Sequence, residues 1–119
     1  VPNYSQGMSL AWAKAVGRGY RRLGFISTKE HLSRTNYERY AAFLGQQAMY
    51  EHLEALPPLV FSNFSNANIE ACMDLFFEWF RRHRPDVLIF PPGMLLKKLA
   101  GKIRIPEEVG VILTDVEVG

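Results

Sequence analysis

Apolar residues recur every three or four positions in three stretches of the chain, which predicts three amphipathic helices. We place them at about 7–17, 34–53 and 66–84, and a short fourth helix at about 94–100. The strongest periodicity lies in the third helix, whose apolar positions are Ile69, Cys72, Met73, Phe76, Phe77 and Phe80. Glycine or proline follows each of the three long stretches, as expected where helices end.

Short runs of consecutive apolar residues separate these helices and predict four strands. The runs are at 23–26, 59–61, 87–90 and 109–113. Strands that are apolar on both faces are typical of a parallel sheet buried between helices. The alternation of helix and strand therefore predicts an α/β fold, a three-layer α/β/α sandwich with a mainly parallel sheet of about four strands. We expect residues 1–119 to form a single domain.

Composition narrows the class of protein. With 119 residues, 48% of them hydrophobic, and a net charge of +2, the chain has the profile of one soluble domain. It has no apolar run long enough to cross a bilayer and no signal peptide at Val1, so we expect a cytoplasmic protein. Because the sequence does not begin with Met, we expect it to be part of a longer chain. A lone Cys72 and three scattered histidines predict neither a disulfide nor a metal site.

Basic residues cluster where the helical patterns end. The three clusters are Arg18, Arg21 and Arg22; Arg81, Arg82 and Arg84; and Lys97, Lys98, Lys102 and Arg104. Positive charge at a helix C-terminus is favoured by the helix dipole. Because no aromatic residues are interleaved with these clusters, we interpret them as compensation of helix ends rather than as a phosphate-binding track.

The carboxyl ends of the predicted strands are the place to look for a site, because ligands of open parallel sheets bind there. Dinucleotide, P-loop, nucleophile-elbow, paired-carboxylate and receiver-domain signatures are missing from these positions, so we predict no enzyme and no cofactor. Hydrogen-bonding side chains are present instead: Ser27, Thr28, Arg34, Arg39, Asn63, Asn66, Asn68 and Asp115. An arginine and a carboxylate can hold a small polar ligand at two points. Alternatively, Arg39 pairs with Glu38 or Glu70 on the surface, and Asp115 caps a turn.

Four segments resemble one family in the order in which that family has them. The segment 19–26, Gly-Tyr-Arg-Arg-Leu-Gly-Phe-Ile, is similar to the "lGHRRIgfI" strand entry of the LacI/GalR family of bacterial transcriptional repressors. The Arg-Tyr-x-Ala-Phe sequence at 39–43 resembles its "R-Y-x-G-F" helix. The segments at 85–90 and 105–115 resemble its "PtAif" and "vPeDVgVvgfD".

The resemblance implies a fold, a site and partners. The chain would be the C-terminal lobe of a periplasmic-binding-protein-like effector domain, with the DNA-binding helix-turn-helix in a separate part of the parent protein. Arg39 and Asp115 would contact the effector, a sugar or related polar metabolite, and Asn3 and Tyr4 fall on the family's entry motif. The position of Ser27 at a strand end adds it to the ligand-binding set. The parent would be a homodimeric transcription regulator that makes no membrane contact.

The chain departs from the family pattern at one place, and two other functions are compatible with the predicted fold. After the third strand the family usually has "nD", whereas this chain has Pro-Pro-Gly at 91–93, which removes one hydroxyl-binding group of a simple sugar site. A lobe of a solute-binding protein for a transporter shares the fold, but would follow a secretory signal. A small flavodoxin-like enzyme is the second alternative.

Overall fold

A computed structural model describes residues 4–62, 65–90 and 110–113. Its elements are α1 (Tyr4–Gly17), β1 (Leu23–Thr28), α2 (Lys29–Arg34), α3 (Glu38–Met49), β2 (Leu59–Phe61), a 3-10 turn (Asn66–Asn68), α4 (Ile69–His83), β3 (Val87–Phe90) and β4 (Gly110–Leu113). The predicted helix at 94–100 lies outside the described residues. None of the helices in the described ranges is long and apolar enough to cross a membrane.

The described strands form one parallel sheet in the order β2-β1-β3-β4. Ser27 of β1 is in register with Val60 of β2, and Phe25 of β1 with Ile89 of β3. The mixed α/β architecture with a parallel sheet, predicted from the apolar runs, is thereby confirmed. β1 is central, with β2 on one side and β3 on the other.

The first hydrophobic core lies between one face of the sheet and helices α1, α2 and α3. Successive strand residues point to opposite faces, so β1 contributes Leu23 and Phe25 to this side. Phe25 stacks on Phe43 of α3 at 5.1 Å between ring centroids, and Trp12 of α1 lies 5.4 Å from the same ring. Burying such a side chain contributes about 2 to 3 kcal/mol, so these aromatic contacts fix α1 and α3 on the sheet.

The second core lies on the opposite face, under α4. Ile26 and Leu88 come from the sheet, and the periodic residues of α4 pack on them. Phe76 is fully buried there, and the indole Nε1 of Trp79 donates to the carbonyl of Pro57 at 2.8 Å. The periodic apolar residues of α4 thus form its buried face. Together with α1, α2 and α3 on the other side, α4 leaves helices packed on both faces of the sheet.

The predicted helix at 34–53 is wrong in its boundaries. The structure has two helices there, α2 and α3, joined by a turn at 35–37. Asn36 and Tyr37 adopt left-handed backbone angles, with φ of 55° and 59°. Asparagine tolerates this conformation and often ends helices, so Asn36 is a signal for the turn, whereas Tyr37 is not.

The amino edge of the sheet is held together by one carboxylate and one guanidinium. Asp86 accepts hydrogen bonds from the backbone N–H groups of Arg21 and Arg22, both at 2.9 Å. The side chain of Arg22 donates to the carbonyls of His83 and Arg84 at the end of α4 and pairs with Glu54. Arg22 thus does bind helix-terminal carbonyls, but those of α4 rather than those of the helix that precedes it in the chain.

Candidate functional site

The carboxyl end of β1 lies at the point where the strand order reverses. From β1 the chain continues to β2 on one side, and from β3 it continues to β4 on the other. In open α/β sheets a crevice forms at such a switch point, because the two connections leave in opposite directions. The residues that follow β1 are therefore placed where a ligand of this fold class binds.

Thr28 converts the end of β1 directly into a helix. Its backbone is extended, with φ of −122° and ψ of 153°, and its Oγ1 accepts a hydrogen bond from the backbone N–H of His31 at 3.1 Å. This is the N-cap geometry that threonine favours. Because α2 starts without an intervening loop, His31 is held within one turn of the strand end.

The turn between α2 and α3 brings Arg39 back to the same place. Tyr37 donates its backbone N–H to the carbonyl of Leu32 at 2.7 Å, and Glu38 donates to the carbonyl of Thr35 at 3.0 Å. These bonds offset the left-handed backbone of Tyr37, a conformation that costs about 1 kcal/mol or more in a non-glycine residue. The result is that the first turn of α3 faces α2 across a short gap.

Arg39 is buried in this arrangement, with only 3% of its surface exposed. Its Nη1 lies 2.8 Å from Nε2 of His31. A guanidinium can only donate, so Nε2 of His31 must accept, and the imidazole proton must lie on Nδ1. The alternative in which Arg39 pairs with Glu38 or Glu70 on the surface is wrong, because the side chain is buried against α2.

Ser27 lies at the same strand end but faces the first core. It shares a face of β1 with Leu23 and Phe25, is fully buried, and its Oγ makes no hydrogen bond in the structure. An unsatisfied buried hydroxyl costs about 1 to 3 kcal/mol. Such a group in a native fold calls for an explanation, and a polar ligand or water at this end of β1 would supply one.

The sequence-predicted site residues divide into two groups. Ser27 and Arg39 both lie beyond the middle of the sheet on its carboxyl side. Tyr4 begins α1, and Asn3 and Asp115 lie outside the described residues. The convergence of Arg39 with Asp115 therefore stays a prediction.

His31 is the residue that sequence reasoning missed. In the sequence it is one of three scattered histidines, and no metal-ligand spacing relates it to His52 or His83. A signal was available, because a histidine three residues after an N-cap threonine lies in the first turn of a helix that follows a strand. Its link to Arg39, however, depends on the turn at 35–37, which the sequence did not reveal.

Other reactive side chains in the described ranges do not add to this site. Cys72 is buried in the second core, and burial raises the pKa of its thiol, so the thiol is protonated at neutral pH. Within these ranges, histidine, cysteine and carboxylate side chains form no group of three suited to a metal ion. The end of β1 therefore carries the buried hydroxyl of Ser27 and, on the two helices that follow, the hydrogen-bonded pair of His31 and Arg39.

Comparisons of the chain with family models, with curated proteins and with solved structures give no match. The resemblance to the LacI/GalR family rests on the four sequence segments described above.

Proposed function

We propose that this chain is the ligand-sensing lobe of a LacI-type bacterial transcription regulator. The observation that carries the proposal is the buried guanidinium of Arg39, held by His31 next to the carboxyl end of β1. The ordered sequence resemblance over residues 19–115 supports it independently. In this proposal the two-sided sheet is one α/β/α lobe of a periplasmic-binding-protein-like domain.

The mechanism of such a lobe is ligand capture in a cleft shared with a second lobe. The N–H groups of Arg39 would hold an oxygen-rich effector, a sugar or a related polar metabolite, and Asp115 would accept from its hydroxyl groups. An effector shifts the orientation of the two lobes only by its difference in affinity for the two arrangements. That shift would reach DNA through a separate helix-turn-helix domain of a cytoplasmic homodimer.

Arg39 provides the direct test. The parent protein is screened by thermal shift against sugars, sugar acids and purines, and a compound that raises the melting temperature is then tested on two variants. Arg39→Gln should lose the shift, since it removes the buried donor group. Arg34→Gln is the matched control, because Arg34 is exposed on α2, pairs with Glu30 and carries the same charge. A ligand present at a hundred times its Kd stabilises by about 2.7 kcal/mol, which is easily measured.

The interpretation of this screen depends on the folding of the variant. Circular dichroism of Arg39→Gln must match the parent, because loss of a buried side chain can itself destabilise α3. If the folded Arg39→Gln variant keeps the shift of the parent, the assignment of the site is wrong. The residues that precede Val1 in the native gene give a second check, since a secretory signal there in place of a helix-turn-helix would favour the solute-binding protein.

A further inference from the structure

The amino edge of the sheet carries exposed basic residues that form no salt bridge with another described residue. Helices α1 and α4 both end at this edge, on opposite faces of the sheet, and the segment that leads into β1 lies between their ends. Six exposed cationic residues occur there, and we call them the amino-edge basic surface: Lys14, Arg18, Arg21, Arg81, Arg82 and Arg84.

Hydrogen bonds fix the two halves of this surface next to each other. Arg22 reaches from the entry of β1 to the carbonyls of His83 and Arg84, and Asp86 binds the backbone of Arg21. The end of α4 is thus joined directly to the segment that follows α1. The basic residues of both helices therefore form one band across the edge of the sheet.

The side chains of these cations do not bind the helix-terminal carbonyls. The terminal carbonyls of α4 are already bound by Arg22. Those of α1 accept backbone N–H groups: Ala15 from Tyr20 at 3.1 Å, and Val16 from Gly19 at 3.0 Å. None of the six cations forms a salt bridge with a described residue.

The carboxylates near the amino-edge basic surface do not neutralise its charge. Glu54 is engaged by Arg22, and Asp86 by the backbone of the β1 entry. Glu51 and Glu78 are also exposed, Glu78 one helical turn before Arg81 and Arg82. The pKa of His83 is lowered by burial and by the charges of Arg82 and Arg22, which indicates a positive potential at the end of α4.

A small pocket lies beside Arg21 on this surface. It is lined by Val16, Gly19, Tyr20, Arg21, His52 and Leu53 and has a volume of about 70 Å³. Val16 and Leu53 give the pocket aliphatic walls beside the guanidinium of Arg21, so it suits an aliphatic side chain that neighbours a carboxylate. The edge also lacks the exposed aromatic platforms on which single-stranded nucleic acids stack, within the described part of the chain.

We propose that the amino-edge basic surface binds an acidic polypeptide segment that carries an apolar side chain. Arginine forks on Arg18, Arg21, Arg81 and Arg82 would pair with carboxylates, and the pocket beside Arg21 would receive the apolar group. This surface lies on the opposite edge of the sheet from Arg39, so binding there is independent of the proposed effector site.

The test measures fluorescence anisotropy with a fluorescein-labelled oligoglutamate peptide that has one central leucine. At low ionic strength we expect saturable binding that weakens as salt is added. The double variants Arg18→Gln/Arg21→Gln and Arg81→Gln/Arg82→Gln should each weaken binding about fivefold, as expected for two exposed ion pairs. The control variant Lys29→Gln/Arg34→Gln removes the same charge from the opposite edge and should change the Kd less than about twofold.

Two further probes complete the test. Replacing the central leucine of the peptide by glycine should weaken binding, because the pocket then receives no side chain. A single-stranded DNA oligonucleotide of equal total charge should bind less tightly than the peptide, because the described part of this edge has no aromatic platform for its bases. The proposal is overturned if the peptide does not bind, if the control variant weakens binding as much as the edge variants do, if the leucine is dispensable, or if the oligonucleotide binds more tightly.

Discussion

Replacing Gly24 by alanine tests how tightly α4 packs on the central strand. A Cβ at position 24 would lie 2.6 Å from Cη2 of Trp79, closer than such atoms approach in real proteins, and 3.2 to 3.3 Å from Pro85 and Leu88. The indole cannot swing away freely, because its Nε1 is bound to the carbonyl of Pro57. We therefore expect the added methyl group to displace α4 or to break that hydrogen bond.

The expected cost follows from the size of the insertion. Adding a methyl group to a well-packed core destabilises by about 1 to 3 kcal/mol. For a domain of this length, each kcal/mol lowers the melting temperature by roughly 4 °C. Gly24→Ala should therefore lower the Tm by about 4 to 12 °C and the urea midpoint correspondingly, as followed by circular dichroism.

Two comparisons isolate the clash with Trp79. Gly45→Ala is the matched control, because a Cβ there meets no atom within 4 Å and position 45 lies inside α3. It should stabilise by about 0.5 to 1 kcal/mol. In a Trp79→Phe background the outer indole ring is gone, so Gly24→Ala should cost less. If Gly24→Ala costs the same in both backgrounds, or is no worse than Gly45→Ala, the close approach of α4 to β1 has been misjudged.

Three other predictions concern single residues. Asp86→Ala should destabilise by about 2 kcal/mol in urea unfolding, because two backbone N–H groups lose a charged acceptor; a loss below about 0.5 kcal/mol would contradict this. The pKa of His83 lies below its ordinary 6.5, so between the two values the unfolded chain binds the proton more readily. The free energy of unfolding should therefore fall as the pH drops below 6.5, and Arg82→Gln should make that fall shallower; an unchanged slope would speak against the charge of Arg82 as a cause. Burial raises the pKa of Cys72, so the thiol should react with a disulfide reagent far more slowly in native protein than in urea, and equal rates would show that the helix opens readily.

The strands and α4 could be predicted because their apolar residues must face two buried layers. Leu23, Phe25 and Ser27 even show which face of β1 holds which residue, since side chains alternate along a strand. The division of the second predicted helix was missed because the periodic apolar residues continue across 35–37, and the helix-ending signal of Asn36 was outweighed by them. A left-handed pair of this kind is stabilised by contacts that the local sequence does not display.

The candidate site shows the same division between local and distant causes. The position of Arg39 was predicted from a sequence resemblance, and that of Ser27 from the end of an apolar run. The contact between Arg39 and His31 was not, because eight residues and a turn of unexpected shape separate them. The prediction that Arg22 binds the end of a helix is confirmed, but the helix is α4, whose end lies more than sixty positions along the chain. Local sequence patterns do not reveal contacts over such a separation.

The two tryptophans give the domain a pair of built-in optical reporters. Trp12 lies in the core on one side of the sheet with its ring nitrogen making no hydrogen bond, whereas Trp79 lies in the other core with its nitrogen bound to a carbonyl. Their emission spectra should differ, the former being the bluer. Variants that keep only Trp12 or only Trp79 would thus show whether the two cores unfold in one cooperative step or one before the other.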